Sequence, residues 1–345
     1  MSVSCTGSRI IYIYIYIYIH RVVSAITQAL EEKEYALAVF LDVSCAFDKV
    51  WHEGLIHKLL RHFSSNMCKL VTSYLEDRTF YVQVGTENSQ IKPILAGVPQ
   101  GSVLGPLLYL VYTSDFPTTD YATTTLFADD SGVIVRDKVY DAAVDKLQSC
   151  IDKIQKWAQD WKIKLNEKKS VRVDFTLCKH GYSPIILNDK PVPIASHARY
   201  LGLHLDSKLN WQEHIKRKRD LLNLHFRNFQ WLIGRRSKLS LKNKRLIYNS
   251  IFVPMWAYGA EIWGSTKDSN KLVIERFQNK MMRCITQAPW FVSNDELRKD
   301  LRLDSVSEVI KKRANKHPNV EALILLDSSL TTRILKRAHP LDLIN

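Results

Sequence analysis

The apolar positions of this chain change period several times, and each change predicts an element. Residues 10–19 read Ile-Ile-Tyr-Ile-Tyr-Ile-Tyr-Ile-Tyr-Ile, a dipeptide repeat without a polar face. As a strand it is apolar on both sides and prone to aggregate. Residues 1–19 are therefore expected to stand outside the native fold, as the translation of an alternating A/T repeat. Residues 21–34 take the spacing of a short amphipathic helix, and residues 35–41 form a continuous apolar run of strand length ending on Asp42. A helix follows to about Phe63, and residues 73–84 read as another strand. The Gly/Pro-rich stretch 96–106 opens an apolar helix over residues 107–112.

Two β-rich runs, 123–128 and 133–135, flank Asp129-Asp130-Ser131-Gly132 and predict a hairpin whose turn carries both acids. Val144, Leu147, Ile151, Ile154, Ala158 and Trp161 recur at alternating spacings of three and four, the mark of a helix packed on a sheet. Residues 171–175 form a strand, and residues 200–206 a strand and turn. From Trp211 the pattern becomes helical. Ile215, Leu222, Phe226, Phe229 and Ile233 share one face, Gly234 closes it, and Lys216, Arg217, Arg219 and Arg227 are left free. Ser240 is placed to cap the next helix, which Pro254 interrupts, and residues 271–286 make a third, closed by Pro289. Strands and helices followed by helices alone place the chain in the α+β class.

With 345 residues, 46% of them hydrophobic, the chain can bury one large core or two ordinary ones. Its formal charge of +14 hides a split. Residues 1–160 hold 14 Lys/Arg against 18 Asp/Glu, and residues 161–345 hold 35 against 17. An acidic half that seeks metal is thus joined to a basic half suited to phosphate. Residues 207–245 alone carry 12 Lys/Arg against two Asp/Glu, interleaved with Trp211, Phe226, Phe229 and Trp231, a composition that favours a nucleic-acid partner. The six cysteines are scattered with no Cys-x-x-Cys pair, and Cys178 with His180 lacks a second pair of ligands. That spacing argues against a disulfide scaffold or zinc knuckle and for a reducing intracellular compartment, cytoplasm or nucleus. There is no secretory signal, and the apolar run 10–19 is about half the length that spans a bilayer, so no membrane partner is expected.

Three features carry chemistry. Adjacent carboxylates such as Asp129 and Asp130 ask for a shared proton or a divalent cation. Asp42, at the C-terminal end of a buried strand, is aimed into a cleft where packing has no use for it. In Gly97-Val98-Pro99-Gln100-Gly101-Ser102 the glycines permit close backbone approach to a ligand and Gln100 can hydrogen-bond one.

In their order, Asp42 with Ala46 and Phe47, the stretch 97–102, and Phe127-Ala128-Asp129-Asp130 resemble the reverse transcriptase of a non-LTR retrotransposon, above all the jockey group. The resemblance runs from about His20 to the C-terminus. It takes in Trp256-Ala257-Tyr258-Gly259-Ala260-Glu261-Ile262-Trp263-Gly264, Ala288-Pro289-Trp290 and His317-Pro318-Asn319. It implies a right-hand polymerase palm with partial fingers over residues 20–206, a helical basic thumb over 207–290 and a C-terminal helical segment over 291–345. The implied activity is RNA-directed DNA synthesis from dNTPs on an RNA template and a DNA primer. Two Mg²⁺ or Mn²⁺ ions would be held by Asp42, Asp129 and Asp130.

Carried over residue by residue, the carbonyl of Val43 faces the triphosphate metal. Ala46 lies beside the nucleotide, and Phe47 resembles the gate that fills the space of a ribose 2′-hydroxyl. Gln100 and Gly101 line the incoming nucleotide. Lys169 is similar to the lysine that protonates pyrophosphate, although Lys168 beside it could serve. Tyr200, Leu201 and Gly202 resemble the primer grip, while Lys216, Arg217, Arg219 and Arg227 lie on the thumb helices. Family members carry an endonuclease and fingers upstream, with basic residues that clamp the triphosphate. Here the Ile/Tyr repeat stands in that place and residues 313–317 are shortened, so the expectation is a 5′-truncated element. The alternative is a catalytically silent nucleic-acid-binding remnant.

Overall fold

A computed structural model describes residues 3–179 and 181–315, with residues 3–14 described by backbone alone. The chain divides into two compact units. One is built on residues 35–174 and 179–195, and the other on residues before 35, the short piece 175–178 and residues from 196 onward. The hairpin expected to close the palm at 206 therefore groups with the helices that follow it.

The chain opens with helix α1 (Val3–Glu31), which absorbs the Ile/Tyr repeat. The repeat, expected to stand outside the fold, is thus continuous with the helix expected over residues 21–34. Tyr16 and Ile19 are buried with Val22, Val23 and Ile26, as an all-round apolar helix requires. Of the described side chains of the repeat, Tyr16 and Ile19 are thus part of the second unit's core.

The first unit begins with β1 (Tyr35–Asp42), α2 (His52–His62) and α3 (Ser65–Leu75). The strand expected over residues 73–84 begins instead with the last three residues of α3, because Cys68, Val71 and Leu75 make one buried stripe of that helix. A short exposed ribbon follows: β2 (Thr79–Phe80), β3 (Gln83–Val84), β4 (Glu87–Asn88) and β5 (Lys92–Pro93), with β2 paired to β5 and β3 to β4. Then come α4 (Leu104–Tyr112), β6 (Ala122–Phe127), β7 (Asp130–Asp137), α5 (Tyr140–Asp160) and β8 (Val171–Phe175), and a small pair of strands, β9 (Ile186–Leu187) and β10 (Lys190–Pro191). The four-stranded sheet has the order β6-β7-β1-β8, which puts β1 inside it. Leu37, Val39 and Leu41 of β1 and Val133 and Val135 of β7 lie on one face beneath the apolar stripe of α5. A second core joins α2, α3 and α4 through Leu55, Leu59, Val71, Leu108 and Tyr109.

In the second unit, β11 (His197–Tyr200) and β12 (Leu203–Asp206) form a hairpin, and α6 (Gln212–Ile233) ends at Gly234. A Cβ at Gly234 would lie 2.4 Å from the Gln230 carbonyl, so close approach, rather than a left-handed conformation, selects glycine there. Ser240 caps α7 (Leu241–Ile247), and a π-helical turn (Tyr248–Phe252) leads into α8 (Val253–Ala257), with Pro254 in its first turn. α9 (Ala260–Trp263), α10 (Asp268–Thr286), α11 (Asn294–Asp300) and α12 (Val306–Ala314) complete it. Ser293 and Ser305 each form a capping box, with Glu296 and Glu308 respectively. The Tyr16 hydroxyl donates to Glu261 (2.7 Å) and accepts from the Gly259 N–H (3.0 Å), tying α1 to the 256–264 stretch. The His317-Pro318-Asn319 motif and His180 lie outside the described residues. Among the described residues no helix is long and apolar enough to cross a membrane.

Candidate functional site

The acids gather at one end of the sheet. β1 pairs with β7 along its whole length, from Tyr35 opposite Asp137 to Asp42 opposite Asp130, and β6 pairs with β7 up to Phe127 opposite Asp130. The hairpin turn is therefore Ala128-Asp129, with Ala128 at φ +53°, and Asp130 is already strand. This corrects the turn expected over residues 129–132: Ser131 and Gly132 are buried ladder residues. Asp129 and Asp130 are exposed and Asp42 is half-buried.

Asp42 is fixed through its backbone. Its N–H donates to the Ser170 hydroxyl (3.2 Å), its carbonyl accepts from Asn166 N–H (2.8 Å), and Ser44 N–H reaches Lys164 O (2.9 Å). Val43 bridges to Leu165. The Asn166 side-chain oxygen in turn accepts from the N–H groups of Lys168 and Lys169 (3.2 and 3.3 Å). Both lysines thus project from a turn tied to the Asp42 backbone, and both are exposed. Sequence reading missed the roles of Asn166 and Ser170, although an Asn followed two and three residues on by the N–H groups it can cap is a local turn signal.

Ala46 and Phe47 pack on the α2–α4 core, and the Phe47 ring lies 4.8 Å from that of Tyr109. Burial, then the charge of Asp129, raises the Tyr109 hydroxyl above the usual phenol range. That electrostatic link sets Asp129, Tyr109 and Phe47 in one neighbourhood. Tyr109 was not singled out, yet it belongs to the buried set Gly105, Leu108, Tyr109 and Tyr112, which follows the helical period.

The 97–102 stretch packs on the loop that carries Phe47. Gly97 and Val98 N–H groups donate to the carbonyls of Val50 and Phe47 (2.8 Å each), and Gln100 Nε2 donates to Asp48 Oδ1 (2.7 Å). Gly97 sits at φ +97°, and a Cβ there would meet the Asp48 carbonyl at 2.8 Å. Its close approach is therefore to the protein's own backbone, which corrects the ligand-approach reading for this glycine. Gly101, at φ +81°, faces open space.

The donor set is of the class a hard divalent ion takes, since carboxylate oxygens suit Mg²⁺ and Mn²⁺. Like charges directly opposite one another on paired strands cost stability, and a cation between Asp42 and Asp130 would offset that cost. On donor chemistry and register the residues fit such an ion. Among the described residues, however, no group of three or more His, Cys, Asp or Glu converges closely enough to hold one, so the three carboxylates are neighbours but not a closed cage.

In the second unit, Tyr200 is buried, and the turn Leu201-Gly202 takes positive φ values of 44° and 79°. The Tyr258 hydroxyl donates to the Leu201 carbonyl (2.7 Å), bracing the hairpin tip. On α6, Lys216 and Arg227 are exposed, whereas Arg217 pairs with Glu213 (2.7 Å) and Arg219 with Asp220 (2.9 Å). The expectation that all four are free is corrected for these two, although exposed pairs of this kind are weak and yield readily to a phosphate. Lys218 between them is buried and donates to the Met255 carbonyl (3.0 Å).

Comparison with known proteins shows the family of the chain. The family model "Reverse transcriptase (RNA-dependent DNA polymerase)" matches residues 13–205. The chain is 40% identical over 94% of its length to the probable RNA-directed DNA polymerase from transposon X-element of Drosophila melanogaster. It is 38% identical, again over 94%, to the RNA-directed DNA polymerase from mobile element jockey of the same organism. It spans 37% and 38% of the length of those relatives. Among solved structures, an apo telomerase from Candida tropicalis aligns over 92% of this chain and 54% of its own, at 13% identity and a TM-score of 0.41.

Proposed function

The chain belongs to the reverse transcriptase family, in its jockey-like retrotransposon branch, and from that premise we propose that its first unit extends a DNA primer on an RNA template. The observation that carries this reading is the register that sets Asp42 opposite Asp130, with Asp129 in the adjoining turn. When bound there, two divalent ions supply activation of the attacking hydroxyl and stabilisation of the leaving oxygen.

The chain's own residues do the rest. Asp42 presents its carboxylate from a strand end whose backbone is hydrogen-bonded to Ser170 and Asn166. Phe47, backed by Tyr109, fills the space a ribose 2′-hydroxyl would need. Gln100 and Gly101 border the nucleotide with Val43 and Ala46. Lys169, or Lys168, carries a proton for the departing pyrophosphate. Tyr200, Leu201 and Gly202 hold the primer end, and Lys216, Arg217, Arg219 and Arg227 meet its phosphates.

Primer extension on poly(rA)·oligo(dT) with Mg²⁺ or Mn²⁺ tests the proposal. Incorporation is expected from the wild type and none from Asp129→Asn at an unchanged melting temperature. Tight hybrid binding without incorporation by the wild type would replace this reading with that of a silent nucleic-acid-binding remnant.

A further inference from the structure

Three histidines follow one another across the second unit. The register of β11 with β12 sets His204 opposite Arg199, with His197 two residues back on the same face. Ring centres are 6.1 Å apart between His197 and His204, and 6.2 Å apart between His204 and His214 of α6. His214 is 1% exposed and packs beside Trp211 and Trp263, whose ring centres are 5.9 and 6.1 Å away. Its Nδ1 accepts the backbone N–H of His204 (3.2 Å), a bond that joins β12 to α6. An imidazole nitrogen that accepts carries no proton, so the ring is neutral and its proton sits on Nε2. Among the described residues neither that Nε2 nor the Nδ1 of His204 has a hydrogen-bond partner.

We propose that His214 is a proton-controlled catch: neutral, it holds β12 on α6, and a proton on its Nδ1 releases the strand. Protonation turns the accepting nitrogen into a donor aimed at another donor. The surroundings offer the new charge no compensation. Burial first, then Lys218 and His204, hold the His214 imidazole well below its ordinary range. Burial also lowers His204, around which stand Arg217 and Glu213 of α6 and His197 and Arg199 of β11. Glu213 is paired with Arg217 (2.7 Å). Asp206 accepts from the N–H groups of Asn210 and Trp211 (2.9 and 2.8 Å), and Glu261 of α9 accepts from Tyr16. The closed strand therefore excludes a proton that the open one takes up, and opening grows as the pH falls through the ordinary imidazole range. The catch acts on the hairpin whether or not the chain extends a primer.

Hydrogen–deuterium exchange of the full chain, corrected for the intrinsic pH dependence of exchange, tests this on peptides covering β12 and, as a reference, β7. Between about pH 7.5 and 5.5 the protection of β12 is expected to fall roughly tenfold while that of β7 holds. His214→Asn places an amide oxygen where Nδ1 stands, able to accept the same N–H without titrating, and should make β12 protection flat over that range. His197→Gln should keep the fall. Unchanged β12 protection in the wild type, an equal loss in β7, or the same fall in His214→Asn overturns the proposal. If His214→Asn does not fold, spectra of the wild type labelled with nitrogen-15 in histidine decide. One ring that stays neutral with its proton on Nε2 at about pH 5.5 supports the catch, whereas imidazolium at every histidine with β12 still protected overturns it.

Discussion

Arg172 on β8 and the carboxylates at the end of β1 and β7 are charges on the same four-stranded sheet, and the fold treats them in opposite ways. Arg172 is fully buried and bonded throughout: Nε and Nη2 donate to Asp174 (2.7 and 2.9 Å), Nη2 to the Tyr140 hydroxyl (2.9 Å) and Nη1 to the Ser183 carbonyl (2.5 Å). Lys58 follows the same rule. Its ammonium donates to the Tyr112 carbonyl and Asp115 and lies 3.6 Å from the centre of the Trp161 ring. Asp42 and Asp129, by contrast, make no side-chain hydrogen bond or ion pair among the described residues, and exposed Asp130 stands directly across from Asp42. A charge matched inside the fold is scaffold, because burial without such matching costs several kcal/mol. Like charges collected at an exposed edge cost the fold a little, and on the proposed reading they are where a divalent ion is taken.

The largest effect that could break this contrast is at Arg172. Arg172→Met leaves Asp174 buried without its bidentate partner, and urea unfolding should show a loss of about 3–5 kcal/mol. Adding Asp174→Leu should restore most of it. A single-variant loss under about 1 kcal/mol would make the pair no more structural than a surface salt bridge.

Lys218 sharpens the rule, since among the described residues it is buried without a carboxylate partner. Burial, then Arg313, brings its ammonium down to about 7. The unfolded chain binds that proton up to the ordinary lysine range, so stability from this group is lowest and flat below pH 7 and rises as the pH climbs above it. Between pH 7 and 9 the wild type should gain about 2–3 kcal/mol relative to Lys218→Met. Parallel pH profiles of the two proteins would contradict the assignment.

Phe47 lies between the two regimes, half-buried and packed on Tyr109. Phe47→Val should shift the ribonucleotide-to-deoxynucleotide ratio about tenfold or more, the range that one added or missing group commands in a packed pocket. Competing-nucleotide incorporation measures it. An unaltered ratio in a folded, active variant leaves Phe47 a packing residue only. The smallest effect has the opposite sign to that at Arg172. Without divalent ions, Asp42→Asn should stabilise the chain by roughly 0.2–1 kcal/mol by removing cross-strand repulsion, and a loss above that size in a thermal melt would place Asp42 with the scaffold.

What was legible along the chain was whatever its own neighbours decide. The continuous run of β1, the strand β8 and the alternating three-and-four stripe of α5 are local signals, and all three elements formed. The turn before β7 was misplaced because Ser131 and Gly132 carry turn propensity. In the sheet Gly132 answers crowding instead: a Cβ there would lie 3.1 Å from Thr125 Oγ1 and 3.3 Å from the Phe40 ring. The left-handed residue is Ala128, which propensity would not choose. The Ile/Tyr repeat has a period of two, but burial of Tyr16 and Ile19 against distant residues makes it a helix. The site divides in the same way. Asp42, Asp129 and Asp130 are singled out by the chain's own pattern, whereas the contact of Tyr109 with Phe47 and the hydrogen bond from Asn166 N–H to the Asp42 carbonyl join residues far apart in sequence.

The central claim is that the carboxylate edge of the sheet is a divalent-ion site. Titration of the chain with Mn²⁺ by isothermal calorimetry, wild type beside Asp129→Asn, tests it most directly. The account predicts measurable binding by the wild type, with a matching rise in melting temperature, and loss of both in a variant that remains folded. Equal Mn²⁺ affinity in the two proteins would contradict it.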